Sequence, residues 1–214
     1  MSALLAISKP AHADDDGRRI LVDLFDMAGA DHAPSLANAL LGEFGSLARI
    51  LAAGAVAQRR VIGNRPEALQ CLALVRDAML HALKTDMAEA PVLSNTEAVL
   101  NYLHVAMAHE QYEQVRVLFL APGLKLIKDE VLWTGSVTTA AMYPREVMRR
   151  ALELGATCLL IAHNHPSGNL QPSRDDIQIT RALVEAGRVM DVNVADHVII
   201  SRRGHTSLRA MGYV

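Results

Sequence analysis

The residues with the most chemistry in this chain lie close together: His163-Asn164-His165-Pro166-Ser167-Gly168, followed by Ser173 and Asp176. Two histidines at i and i+2 at the end of a strand project to one face, which lets a strand present two imidazoles to one metal ion. Pro166 ends the strand, because it has no N–H for the ladder. Asp176 falls in the first turn of the next predicted helix, and a turn through Pro166-Ser167-Gly168 and Pro172 brings its carboxylate back over the histidines. A His₂-carboxylate set leaves one coordination position open, which suits catalytic zinc; a structural site would fill all four. Ser173-Arg174-Asp175-Asp176 also reads as a helix cap, hydroxyl first and acid three residues on. A surface role suffices for His12, His32 and His205. Asn164 and Asp175 have no role in this reading.

The elements needed to hold these residues are legible around them. Ala156–Ala162 is a continuous apolar run, as expected of a buried strand. A helix is expected from about Arg174 to Met190, then a strand over Val192–Ser201. Upstream, Val115–Leu120 and Leu124–Leu132 are β-rich runs around Ala121-Pro122-Gly123, a hairpin signal. Pro144 suits the first turn of a helix that Gly155 stops. Ser94-Asn95 caps another, carried by Val99, Leu100, Leu103 and Met107 to about His109. The order of elements implies an α/β fold, a mixed β-sheet with flanking helices.

From Arg19 to about Asp86 the pattern is helical throughout. Leu36, Leu40, Leu41, Phe44 and Leu47 recur at spacings of three and four, as do Leu69, Leu72, Leu74, Val75, Met79 and Leu83. Gly42, Gly45, Gly54 and Gly63 are expected to divide this stretch into short helices. Residues 1–17 read as a loose leader, and the composition changes near Pro91. Two parts are therefore expected: a small all-α N-terminal region, 1–90, and a metal-binding domain, 91–214.

Composition narrows the partners. Of the 214 residues, 51% are apolar and 4% aromatic, and the formal net charge is −2. Residues 1–90 carry 9 basic against 11 acidic side chains, and residues 91–214 carry 12 against 12, so neither part has the basic excess of a phosphate-gripping domain. The scarcity of rings argues against base stacking. Cys71 and Cys158 sit in apolar runs and read as reduced, buried thiols. The N-terminus lacks the form of a secretory signal and no long apolar run follows, so no membrane partner and a cytoplasmic location are expected.

The run LLIAHNHPSGNLQPSRDDIQITRAL resembles the RadC family, within the JAB/MPN domains that carry a JAMM metalloprotease motif. That motif has the form His-x-His, seven residues, Ser, two residues, Asp, and here it falls on His163, His165, Ser173 and Asp176. Gly135-Ser136-Val137, Pro144-Arg145-Glu146 and Asp196-His197-Val198-Ile199-Ile200 resemble the family's flanking stretches, so the likeness covers about residues 91–210. It implies a domain similar to cytidine deaminases and a catalytic glutamate on an earlier strand. Glu113 matches the family's register at the start of Glu-Gln-Val-Arg-Val-Leu-Phe-Leu; Glu110 is its rival, and a solvated strand-start charge is the plain alternative.

The resemblance implies a zinc-dependent peptidase or isopeptidase. His163, His165 and Asp176 would hold the metal, Glu113 would move the proton of an activated water, and Ser173 would donate to the oxyanion. Deamination is disfavoured, because the chain has no Cys-x-x-Cys, and His-Asn-His at a strand end running into Pro-Ser-Gly does not read as a nuclease motif. In this family a helix-hairpin-helix often precedes the domain. Ala37-x-x-Leu40-Leu41-x-x-Phe44-Gly45-Ser46-Leu47 resembles its lead-in, whereas Val61-Ile62-Gly63-Asn64-Arg65-Pro66 is a degenerate hairpin with one glycine where the DNA-binding form has two. The alternatives to an enzyme are a repair-associated accessory protein that binds nucleic acid and a zinc-binding module without turnover. A peptide or protein is the expected partner, its identity open, and a homodimer is compatible with the sequence.

Overall fold

The structure, a computed structural model, describes residues 14–89, 91–135 and 142–214. The expected leader before Asp14 and the Ser136-Val137 pair of the family-like stretch lie outside them. By packing the chain divides into two compact units, one running to Leu51 with Ala55–Ala73, the other comprising Ala52–Gly54 and Leu74–Val214.

The first unit is helical, with α1 (Asp15–Met27), α2 (Ala33–Phe44), α3 (Leu47–Ala52), α4 (Ala55–Ile62) and the start of α5 (Pro66–Glu89). Asp14 to Asp16 are not loose: Asp14 caps α1 through Gly17 N–H at 2.9 Å and also accepts from Leu47 N–H at 2.9 Å. Gly42 does not interrupt α2; the stop comes at Gly45, whose φ of +85° closes the helix on the Leu41 carbonyl. Leu21, Phe25, Leu36, Leu40, Ile50 and Leu72 are buried there. Leu74, expected on an inner face, is instead exposed. Gly63 ends α4 with φ +73°, and Pro66 opens α5.

The later turns of α5 belong to the second unit, where Leu80 and Leu83 pack against the sheet core. Its remaining elements are α6 (Thr96–Met107), β1 (Glu113–Leu120), β2 (Leu126–Gly135), α7 (Pro144–Leu154), β3 (Cys158–Asn164), α8 (Arg174–Val189), β4 (Asn193–Ser201) and β5 (Gly204–Ser207). The strands form one mixed sheet in the order β2-β1-β3-β4-β5, with β3 central and every pair antiparallel except β3 with β4. The hairpin turn runs two residues longer than its Ala-Pro-Gly signal, because Leu124 adopts φ +64° and Ala121 N–H bonds the Lys125 carbonyl at 2.8 Å.

Alternation along the strands builds two cores. Leu118, Leu120, Leu160, Ala162, Val198 and Ile200 meet α6 on one face. Val115, Val117, Phe119, Leu159, Ile161 and Val194 meet α7 and α8 on the other. Each of these Val, Leu, Ile and Phe side chains, when fully buried, contributes about 1.5–3 kcal/mol. Beside the α6 face Asp129, its side chain 2% exposed, is held by Arg116 at 2.6 Å and by the Tyr102 hydroxyl. Among the described residues no helix is long and apolar enough to cross a membrane.

Candidate metal centre

Strand β3 is buried along its whole length, and its odd positions Leu159 and Ile161 face α7 and α8. His163 continues that row, and the chain then leaves the strand. His165 N–H still bonds the Ile200 carbonyl of β4 at 2.9 Å, and Gly168 N–H closes a turn on the His165 carbonyl at 2.9 Å. Gly168 has φ +81° and is packed against the Arg202 and Arg203 guanidiniums, so the turn that returns the chain toward α8 requires glycine there.

This path brings the three expected ligands together. His163 Nε2 lies 2.9 Å from His165 Nε2 and 3.2 Å from Asp176 Oδ1, and His165 Nε2 lies 3.6 Å from Asp176 Oδ2. Their candidate ligand atoms all fall within 4.8 Å of one another. The side chains are 7%, 11% and 18% exposed for His163, His165 and Asp176, so the cluster is sheltered and opens on its carboxylate side.

The donor chemistry fits a divalent ion. His165 Nδ1 sits 2.8 Å from the Asn169 carbonyl, which only accepts; Nδ1 therefore carries the proton and Nε2 turns a lone pair toward the cluster. Burial alone would raise the Asp176 pKa, but the adjacent His163 and His165 imidazoles and the hydrogen bond from Ser173 hold it well below the usual carboxylate range. Burial alone would lower the His165 pKa, yet Asp176, the Asn169 carbonyl and the charge of Glu113 carry it upward overall. A permanent carboxylate beside imidazole nitrogens at this spacing calls for a shared cation or proton. Two nitrogens and a carboxylate are a set that zinc accepts.

Ser173 realises the cap: Asp176 N–H donates to Ser173 Oγ at 3.1 Å, and Ser173 N–H and O–H both donate to Asp176 Oδ2 at 2.7 Å. The cap therefore also aims the carboxylate. Glu113 is the first residue of β1, two positions from Val115, which pairs with His163; its charge reaches His165. Glu110 is held by Arg76 at 3.2 Å. Asp175 is exposed in the first turn of α8.

Three polar residues around the cluster were given no role in the sequence reading. Asn164 is completely buried; its Oδ1 accepts from Gln114 N–H at 2.7 Å and its Nδ2 donates to the Tyr112 carbonyl at 3.1 Å. A side-chain amide thus makes the last rung between β3 and β1, on the residues that flank Glu113. His197 on β4 is 1% exposed; burial, with the nearby imidazole His163, holds its pKa well below the ordinary histidine value. It lies 2.8 Å from His163 Nδ1 and 2.6 Å from Thr180 Oγ1. A histidine inside the apolar run of β4, and a threonine four residues after Asp176, were the available signals.

A mixed sheet between helices, with a His-His-carboxylate cluster where its central strand ends, is the arrangement of a JAB/MPN domain. A model of the RadC-like JAB domain matches residues 93–213, more than half of the chain, and the chain belongs to that family.

Proposed function

We propose that this protein is a zinc-dependent hydrolase of peptide or isopeptide bonds, with His163, His165 and Asp176 as metal ligands. The observation that carries the reading is the convergence of these three groups, each already oriented by a further hydrogen bond, beside an acidic side chain not itself among the ligands. Zinc held there would supply Lewis acidity, lowering the pKa of water toward about 7 and polarising a carbonyl. Glu113 takes the proton of the attacking water and returns it to the leaving amine. Ser173 turns its hydroxyl proton from Asp176 to the developing oxyanion, while its backbone N–H keeps the cap bond to the carboxylate. The metal domain comprises residues 91–214, steadied by the later turns of α5.

Purified protein is expected to cleave members of a peptide or lysine-isopeptide library, to stop when a chelator is added and to recover with zinc. Cleavage that persists in chelator would refute a metal-dependent mechanism, and a zinc-loaded protein inert on every conjugate would favour a module without turnover.

Proton competition gives a second test. Because the His165 pKa is raised, a proton occupies its ligand nitrogen until the pH exceeds the ordinary histidine value, whereas Asp176 stays ionised throughout. Apparent zinc affinity is expected to fall as pH drops, by about tenfold per pH unit for one displaced proton, and to level off at alkaline pH. Competition with a chromophoric chelator measures it; a flat profile would remove His165 from the ligand set.

A further inference from the structure

We propose that His197 and Thr180 are positioning residues, a buried hydrogen-bond chain that keeps a proton on His163 Nδ1 and leaves His163 Nε2 as the nitrogen turned to the metal cluster. The inference rests on the reading of His163 as a ligand and explains what selects its ligating nitrogen.

The direction of the chain follows from its far end. Thr180 Oγ1 lies 2.5 Å from the Asp176 backbone carbonyl. A carbonyl oxygen only accepts, so the single hydroxyl proton points there. Thr180 Oγ1 must then accept in its other contact, at 2.6 Å to His197 Nδ1, which puts a proton on His197 Nδ1. A neutral imidazole has one N–H, so His197 Nε2 accepts. Its partner at 2.8 Å is His163 Nδ1, which must therefore donate.

Each link is enclosed. Thr180 is fully buried and His197 almost so, and water does not compete for these bonds. The chain also closes on itself in space: it starts at the backbone of Asp176 and ends on His163, whose Nε2 meets the Asp176 side chain at 3.2 Å. One segment thus fixes both a carboxylate ligand and the tautomer of an imidazole ligand. His165 reaches the same state by a different route, through the Asn169 carbonyl. Hydrogen-bond partners of this kind orient ligating histidines and raise their basicity.

The test uses the full-length protein with ¹⁵N-labelled histidine and zinc alone as probe. Long-range ¹H–¹⁵N correlation should place a proton on His163 Nδ1 and on His197 Nδ1, with His197 Nε2 bare, both before and after zinc is added. Thr180→Val should weaken zinc binding on the order of 10- to 100-fold and release the proton preference at His163, whereas Thr180→Ser, which keeps the hydroxyl, should restore both. An unprotonated His163 Nδ1 in the wild type would overturn the proposal even if Thr180→Val failed to fold. A folded Thr180→Val protein with wild-type zinc affinity would overturn it as well. Wild-type protein that takes up no zinc would instead overturn the ligand assignment, a result separable from the tautomer spectrum.

Discussion

Protein carrying His163→Ala and His165→Ala is expected to purify without zinc while remaining folded. The two imidazole nitrogens stand 2.9 Å apart and share one carboxylate, so their removal leaves Asp176 as a lone donor, which binds zinc weakly at best. The fold should tolerate the change, because Leu159, Ile161 and Val194 bury the sheet face beside the cluster independently of it. The price is the His163 end of the chain through His197, whose Nε2 loses its partner, a cost of about 1–3 kcal/mol. Elemental analysis after dialysis against a weak chelator, together with a thermal melt, checks both halves. Near-stoichiometric zinc in the double variant would mean that the ion sits elsewhere.

The second large effect falls on turnover alone. Glu113→Gln keeps the size of the side chain and its place at the head of β1 but cannot take up a proton at neutral pH. Zinc content and melting temperature should stay close to wild type, while turnover on a cleaved substrate falls by a factor on the order of 10²–10⁴. Glu110→Gln is the control, because Glu110 is engaged with Arg76, and it should leave turnover nearly intact. Loss of zinc from the Glu113 variant would make that residue a ligand, and full activity would require a different base.

The parts of the site that were legible in the sequence are those close together in the chain. His163, His165, Ser173 and Asp176 belong to one strand–turn–helix segment, and the apolar run before them, the proline and the cap residues each announce their element. Glu113 comes from a different strand, and a single sequence says nothing about which residues face each other across a sheet; the family resemblance supplied its place. His197, Thr180 and Asn164 could not be assigned for the same reason, since their bonds depend on the β3–β4 register, the packing of α8 and the β1–β3 register. The four-residue strand β5 is too short for alternation to show. Gly42 and Leu74 went the other way: their local signals were overridden by helices long enough to absorb a glycine and to leave a leucine on the outer face.

The division of the proposed centre between a ligand-bearing segment and an acid on another strand, linked through the Asn164 side chain, has an evolutionary consequence. The groups that would hold the metal travel as one contiguous block, so insertions elsewhere in the chain leave them intact. On its β3 side, the backbone flanking Glu113 is held by the Asn164 carboxamide, which substitutes for a peptide group. A single codon change at Asn164, to aspartate for example, would remove the bond to the Tyr112 carbonyl, set a charge against it and loosen the backbone around Glu113 while leaving His163, His165 and Asp176 themselves unchanged. On the proposed reading, such a site would drift from catalyst to metal-dependent binder in one step, and would return by the reverse step.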